Sequence, residues 1–408
     1  MRKLTVAVIS THPLAEGGVA HYTENLVQSL TAQMANVILL SNSPNAKNSG
    51  KTRDNDPKNL TIRICWKRGL FYPFQIFKEA ARESMNVVHV QHEFFLFGGS
   101  FSALLFPMLL LLLKFLRKPI IVTLHGIIPL SEVNRQFLRE NKLLNGRSTI
   151  LKLGSVFCVK ATLLLANAAV VHERCFVDLL RTDYKCEKKV VVIPHGIEKA
   201  PIKLMQNEAK AKLGLLDRTV ILFFGYISQY KGLETLVEGF GQKAKEHKDW
   251  VLIIGGGENP RLKTNSSYRN CIQELRQKAL TLAPHQTIFT GFLQEEELPV
   301  YFSAADLVVF PHKVAMSASG PLTFAIGYEK PVLLSRIPPF REMIDDDNAF
   351  FERNSPQSLA ARLEFLMSNP EVRQRILLHF QKLADSFSWN NVGLETIRLY
   401  EKQLCETD

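Results

Sequence analysis

The chain has 408 residues, 46% of them apolar, enough for about two ordinary cores and too apolar for a disordered or fibrous protein. Its six cysteines (Cys65, Cys158, Cys175, Cys186, Cys271, Cys405) are scattered without a C-x-x-C pair, which argues against a zinc site and a disulfide framework. The net charge of +11 sits in the first half, where residues 1–200 hold 26 Lys and Arg against 14 Asp and Glu; such a half suits nucleic acid, an anionic membrane or a phosphorylated substrate.

In chain order, "MRK" runs straight into the strand-like "LTVAVIS" (4–10) with no cleavage-type signal behind it, so a cytoplasmic protein is expected. Strands follow at 36–41, 86–91, 119–125, 168–172 and 190–195. The polar stretch Glu198 to Arg218 reads as a linker, and a second series runs at 219–225, 250–256, 287–292, 307–312 and 331–335. Apolar runs alternating with helix-length segments predict parallel sheets covered by helices on both faces. The expected architecture is α/β, two Rossmann-like domains facing each other across a cleft, residues 1–198 and 199–387. The tail "SWNNVGLETIRLYEKQL" is amphipathic through Val392, Ile397, Leu399, Tyr400 and Leu404. It has no third domain to join, so 388–408 is expected to cross back to the first.

Phe94 to Leu113 is uncharged over twenty residues, the length of a spanning helix. Gly98, Gly99 and Pro107 interrupt it, leaving Phe101 to Phe115 as one helix that is too short to span and ends in Lys114, Arg117 and Lys118. It reads as a helix buried on the sheet or lying in a membrane interface.

Open α/β sheets bind ligands at the carboxyl ends of their strands, so the strand exits carry the functional expectations. In "THPLAEGGVAHYTENL" (11–26), Gly17 and Gly18 let backbone approach a ligand, and a helix start follows. The pattern is not G-x-G-x-x-G, which disfavours a dinucleotide oxidoreductase. His92, Glu93 and His125 end neighbouring strands and are expected near one cleft. Without an H-E-x-x-H helix or a carboxylate cluster, no metal site is expected. Later, "FFGYISQYKGLETL" (223–236) places Lys231 where a positive charge adds to a helix N-terminus, an arrangement for a diphosphate. "IIGGGENP" (253–260) is a glycine-rich exit where a bulky side chain would block a base or sugar. In "VFPHKVAMSASGPLTFAIG" (309–327), Ser317, Ser319 and the N–H groups around Gly320 and Leu322 converge on a phosphate, with Pro321 suited to the first turn.

Taken together, "EGGVAHYTENL", "VIPHGIE", "FFGYISQYKGLETLVEGF", "GFLQEEELPVYFSAADLVVFP", "GYEKPVLLS" and "SWNNV" resemble glycosyltransferase family 4 of the GT-B fold over nearly the whole chain. "QHEFFLFGG" is similar to a subgroup with mannosyl- and glucosyl-transferring members. The resemblance implies retaining, metal-independent transfer of a hexose, mannose or glucose favoured, from a nucleotide-diphosphate sugar. The donor would be held mainly by the second domain and the acceptor by the first. It implies no cofactor beyond that co-substrate and no nucleic-acid partner, and leaves the oligomeric state open. Lys231 matches the family's diphosphate-binding lysine, and His125 falls where members often have a histidine near the donor sugar; these two are the expected catalytic groups. Donor contacts are expected from Gly17, Gly18, Gly225, Tyr226, Gly256, Ser317, Ser319, Gly320, Pro321 and Leu322, and acceptor contacts from His21, His92 and Glu93. The acceptor is expected to be a glycan, a glycoside or a lipid-linked molecule, the last with peripheral contact to an anionic inner membrane surface.

The sequence departs from the family pattern where members carry two glutamates eight positions apart: those places are Met316 and Phe324. The departure keeps open a non-catalytic GT-B protein that binds a glycan or partner. An epimerase of similar fold needs cleft carboxylates, for which only Glu93 is a candidate, and a pyridoxal-phosphate phosphorylase needs a Schiff-base lysine with no marker here.

Overall fold

The computed structural model describes residues 4–13, 15, 17–43, 57–134, 148–260, 262–314 and 316–407. The first part of the chain forms β1 (Thr5–Ser10), α1 (Gly18–Ala32), β2 (Asn36–Asn42), β3 (Leu60–Trp66), α2 (Tyr72–Ala80), β4 (Val87–His92), α3 (Ser100–Leu104), α4 (Phe106–Lys114), β5 (Ile120–Leu124), α5 (Ser148–Leu165), β6 (Ala168–Val171), α6 (Arg174–Thr182) and β7 (Val190–Val192). These strands make one parallel sheet, order β3-β2-β1-β4-β5-β6-β7. Side chains alternate across it with period two. Val6 and Val8 face α1, while Ala7 and Ile9 belong to the core under α2, α4 and α5.

The second part forms α7 (Gln206–Lys212), β8 (Thr219–Phe224), α8 (Leu233–Ala244), β9 (Trp250–Gly255), α9 (Ser266–Leu282), β10 (Thr287–Gly291), α10 (Leu298–Ala304), β11 (Leu307–Phe310), α11 (Gly320–Gly327), β12 (Val332–Ser335), α12 (Pro338–Met343), β13 (Phe350–Phe351), α13 (Pro356–Ser368), α14 (Pro370–Ser386) and α15 (Trp389–Cys405). Its sheet has the order β10-β9-β8-β11-β12-β13. All eleven expected runs are strands, nine of them trimmed at one or both ends, β2 lengthened by Asn42 and β4 shifted by one residue to His92. β3 and β13 are additional: the first is an edge strand whose apolar pattern is broken by Thr61 and Arg63, the second only two residues long.

Two further expectations need correction. The stretch Glu198 to Arg218 is not all linker, because α7 packs on α10 and Lys210 Nζ lies 2.7 Å from Asp306. Phe101 to Phe115 is not one helix either. Pro107 has no N–H to offer the Ala103 carbonyl, so the helix restarts as α4, and the Cys158 thiol donates to that carbonyl at 3.8 Å.

The chain leaves the first sheet at Ile197 and returns at Ser388, where the two segments pair through Ile197 N–H and the Phe387 carbonyl, 2.8 Å. α15 then lies against α1. The Ser29 hydroxyl donates to the Trp389 carbonyl at 2.6 Å, and a Cβ on Gly393 would meet Ser29 Oγ at 2.0 Å, so only glycine permits this approach. Val392, Leu399 and Tyr400 are buried there.

Candidate active site

The strand order reverses between β1 and β4 in one sheet and between β8 and β11 in the other. Crevices open at such switch points, beyond the carboxyl ends of the strands. The loops leaving β1, β8 and β11 therefore build the site.

After β1, Gly17 has φ +135°, a conformation that favours glycine, and no side chain caps the first turn of α1. A Cβ on Gly17 or Gly18 would meet nothing within 4 Å, so this backbone faces open space.

After β8, Gly225 (φ +124°) precedes the short turn Gln229–Lys231, which ends at Gly232 in the left-handed region. Lys231 is 5% exposed, and its Nζ lies 5.9 Å from the centre of the Phe223 ring. A Cβ on Gly225 would sit 2.5 Å from that Nζ and 3.0 Å from Pro321 Cγ, so the ammonium and the start of α11 converge on one point. Burial holds the Lys231 pKa down at about 8. His312 beside it stays neutral through burial and then the Lys231 charge.

After β11, the Ser319 hydroxyl caps α11 by accepting from Leu322 N–H at 3.4 Å, and Pro321 occupies the first turn. A Cβ on Gly320 would meet nothing within 4 Å. Ser317 is differently used: it bridges Gly126 of the other domain, next to Ile127 N–H donating to the Met316 carbonyl at 3.0 Å. Tyr226 stacks on Phe292, ring centres 5.7 Å apart. Gly256 proves structural in its demand for glycine: a Cβ there would lie 2.0 Å from the Gly225 carbonyl, so backbone packing between exits excludes a side chain.

The cleft is closed by direct contacts. His21, in the first turns of α1, stacks on Phe324 of α11 with centres 5.1 Å apart and planes 28° apart. Burial lowers the His21 pKa, with Glu295 acting the other way. Met316 is half-buried, its carbonyl holding the Ile127 N–H of the first domain. The two residues standing at the family's glutamate positions thus meet the first domain, Phe324 through its ring and Met316 through its backbone carbonyl. Elsewhere, the Glu342 carboxylate accepts from Arg174 N–H (2.7 Å) and Cys175 N–H (2.5 Å), capping α6 from the opposite domain. Glu173 beside it is buried, its Oε2 unpartnered, its pKa pushed up to about 8 by burial and then Glu342.

The first-domain residues do not gather as expected. Period two sends His92 to the face of Val88 and Val90, where its ring packs on Phe106 at 4.1 Å, while His125 lies on the opposite face with His89 and Gln91. His125 has both ring nitrogens engaged inside the first domain, Nδ1 with His172 at 3.3 Å and Nε2 with Gln91 at 2.8 Å. Burial, then the neighbouring histidines, holds it neutral. His92 thus packs within the first domain, away from His125, while His125 stands at the exit of β5 beside Gly126, which meets Ser317 of the second domain. Exposed Glu93 lies close enough to Tyr230 of the second domain to raise its pKa, after burial. The sequence reading did not single out Gln91, His172, Glu173 or Glu342. His172 was visible as a histidine ending the fifth strand run.

A basin of about 640 Å³ lined by Arg218, Lys245, Pro284 and His285 lies on the second domain, and no residue of the cleft lines it. Among the described residues, the grouping of Glu246, His247 and Glu364 has metal-ligand proximity, but Lys243 Nζ already lies 3.2 and 2.5 Å from its two carboxylates.

Two family models match: Glycosyltransferase Family 4 over residues 16–200 and Glycosyl transferases group 1 over 205–377. An uncharacterized glycosyltransferase of Methanocaldococcus jannaschii is 25% identical over 53% of this chain and 54% of its own length. The alpha-monoglucosyldiacylglycerol synthase of Streptococcus pneumoniae is 28% identical over 49% and 44%. The chain spans about half the length of these curated relatives. Sucrose-phosphate synthase from Thermosynechococcus elongatus superimposes with a TM-score of 0.78 at 18% identity over 99% of this chain and 100% of that one. Anabaena HepE in complex with UDP-glucose gives 0.74 at 14% over 98% and 100%. With two parallel-sheet domains facing across a cleft, and two adjoining family models covering both, the chain belongs to glycosyltransferase family 4 and has the GT-B fold.

Proposed function

We propose that this protein is a retaining hexosyltransferase that uses a nucleoside-diphosphate sugar, glucose or mannose, and delivers it to a glycan or lipid-linked acceptor at the cytoplasmic face of a membrane. One observation carries the donor half: Lys231 Nζ, Gly225 and the start of α11 converge on one point, with the open Gly17–Gly18 backbone ahead of α1 on the other side of the cleft. Charge develops on a departing diphosphate, and a preorganised ammonium with helix N-terminal amides stabilises it without solvent reorganisation. In the transfer, the bond from the sugar C1 to the phosphate oxygen breaks as the acceptor oxygen bonds C1 on the same face. The acceptor proton passes to the leaving phosphate. His125 positions the Gly126 loop, and no metal ion is assigned a role. The HepE complex with UDP-glucose supports a uridine donor as the first to test, and the diacylglycerol-named relative supports a lipid acceptor.

A thermal-shift screen of nucleoside diphosphates and their sugars tests the reading, because a ligand of the folded state raises the melting temperature. The expected outcome is a rise with one base family, abolished in Lys231→Ala, and release of that diphosphate during turnover. If no nucleoside diphosphate or sugar nucleotide shifts the melting temperature at millimolar concentration, the donor assignment fails.

A further inference from the structure

Away from the cleft, α5 wears its hydrophobicity on the outside. Toward the protein it sends Ser155, Cys158, Thr162 and Leu163, whereas Ile150, Leu153, Phe157 and Leu164 stand 66, 65, 59 and 75% exposed. Their spacing of three, four and seven places them in one stripe along the helix. α5 packs on α4, and Leu104 of α3 lies against Gly154. Phe101, Leu111 and Phe115, all more than half exposed, extend the apolar surface onto α3 and α4. Single exposed apolar residues are ordinary; a contiguous face of this size marks an interaction surface.

Charge identifies the occupant. Residues 94–131 and 148–172 contain no Asp or Glu, yet hold Lys114, Arg117, Lys118, Lys152 and Lys160. A second copy docking by the same face would set these cations against themselves, whereas an anionic bilayer answers both the apolar stripe and the basic frame. α5 is long and apolar enough to cross a membrane by length and composition. Its inner side, however, belongs to the core through Leu163 and buries Cys158 and Thr162, so it can only lie flat.

We propose that the α4–α5 face is a monotopic docking surface for an anionic lipid bilayer, with the Ile150–Leu153–Phe157–Leu164 stripe entering the acyl boundary and the lysines and arginines meeting headgroups. As the place where an acceptor is delivered it rests on the lipid-acceptor reading above; as a binding property it is measured without any donor.

The test is sedimentation of the full chain with phosphatidylcholine vesicles, with or without phosphatidylglycerol, at low and high salt. Wild type is expected to pellet with the anionic vesicles and to be weakened by salt. Leu153→Gln/Phe157→Gln should lose at least about tenfold in vesicle affinity, since two large apolar side chains leave the acyl boundary. Lys114→Glu/Arg117→Glu/Lys118→Glu should lose the salt-sensitive part. Leu378→Gln, an exposed leucine of α14, should change nothing. Circular dichroism melting confirms each variant is folded. The proposal is overturned if wild type stays in the supernatant with anionic vesicles at low salt, or if the folded Leu153→Gln/Phe157→Gln protein binds as wild type does. It is also overturned if the same substitutions dissolve a dimer that vesicles do not displace, which would assign the face to a second copy. Nucleoside-diphosphate binding is measured on the same samples; its loss with vesicle binding intact refutes the donor reading alone.

Discussion

Lys231 gives the site a proton-linked signature that can be worked out beforehand. Burial depresses its pKa from 10.5 to about 8, so at pH 8 half of the ligand-free molecules lack the charge. A diphosphate placed against Nζ restores the preference for the ammonium. The bound-state pKa then exceeds the free-state value, binding takes up protons, and affinity falls as pH rises through 8. Full restoration over 2.5 pH units couples proton and ligand by about 3 kcal/mol at ~1.4 kcal/mol per unit. Isothermal calorimetry in two buffers of different ionisation enthalpy should report uptake of about 0.5 proton per nucleoside diphosphate at pH 8 and about 0.9 at pH 9. The ligand's own phosphate is already fully ionised there. Kd should weaken about fivefold between pH 8 and pH 9, and Lys231→Met should bind about a hundredfold more weakly with no uptake at all. Turnover in Lys231→Ala should fall about tenfold to a thousandfold. Absence of proton uptake at pH 8 and 9, with Lys231→Met binding like wild type, refutes the reasoning.

Gly320→Val should fold normally, because the added carbons enter open space, and should weaken nucleoside-diphosphate binding by obstructing the start of α11; calorimetry on the folded variant checks it. Gly256→Ala, by contrast, must push a Cβ into the Gly225 carbonyl and should cost about 2 kcal/mol or more of stability, read by urea unfolding. Glu173 is an acid whose folded pKa is raised to about 8, so the folded state holds an extra proton between about pH 4.5 and 8 and stability falls as pH rises through that window. In Glu173→Gln the decline of melting temperature between pH 6.5 and 8 should flatten. The buried histidines run the opposite way: with His92 and His172 depressed to about 4 and His89 and His195 to about 3, stability is full above pH 6.5 and is lost as pH falls toward 4, which an acid melting series measures. Phe324→Ala should lift the His21 pKa toward its ordinary value by admitting water to the ring, seen as a shifted NMR titration.

The sheets were legible because buried parallel strands are continuous apolar runs, and the junction of Lys231 with Gly232 was legible because a lysine and a glycine interrupt an otherwise unbroken strand-to-helix passage. The face to which each strand-end histidine points was also written in the sequence: His92 shares parity with Val88 and Val90, and His89 with Gln91. Taking strand ends without their parity put His92 in the cleft. Contacts between distant segments left no such trace. Glu342 meets Arg174 across 168 positions, only because two domains close. The outward stripe of α5 was hidden for the converse reason: periodicity finds an apolar stripe and says nothing of whether protein or solvent lies beside it.

Met316 and Phe324 bear most directly on how this member of the family works. Two carboxylates there would place negative charge beside a pyrophosphate; the residues present remove that repulsion and also two hydrogen-bond acceptors. What Phe324 adds is contact across the cleft with His21, reinforced by the backbone bridge from Gly126 to Ser317. An aromatic pair of this kind contributes about 0.5–1.5 kcal/mol beyond its buried area, and it requires no ligand. Closure is thus supported before the donor arrives, and a donor that enters between α1 and α11 must first part these contacts. The affinity measured for a nucleoside diphosphate is then its intrinsic affinity reduced by the fraction of open molecules. Weakening the Phe324 contact should therefore tighten nucleoside-diphosphate binding while leaving the Lys231 proton uptake in place, a combination that a merely damaged site does not give.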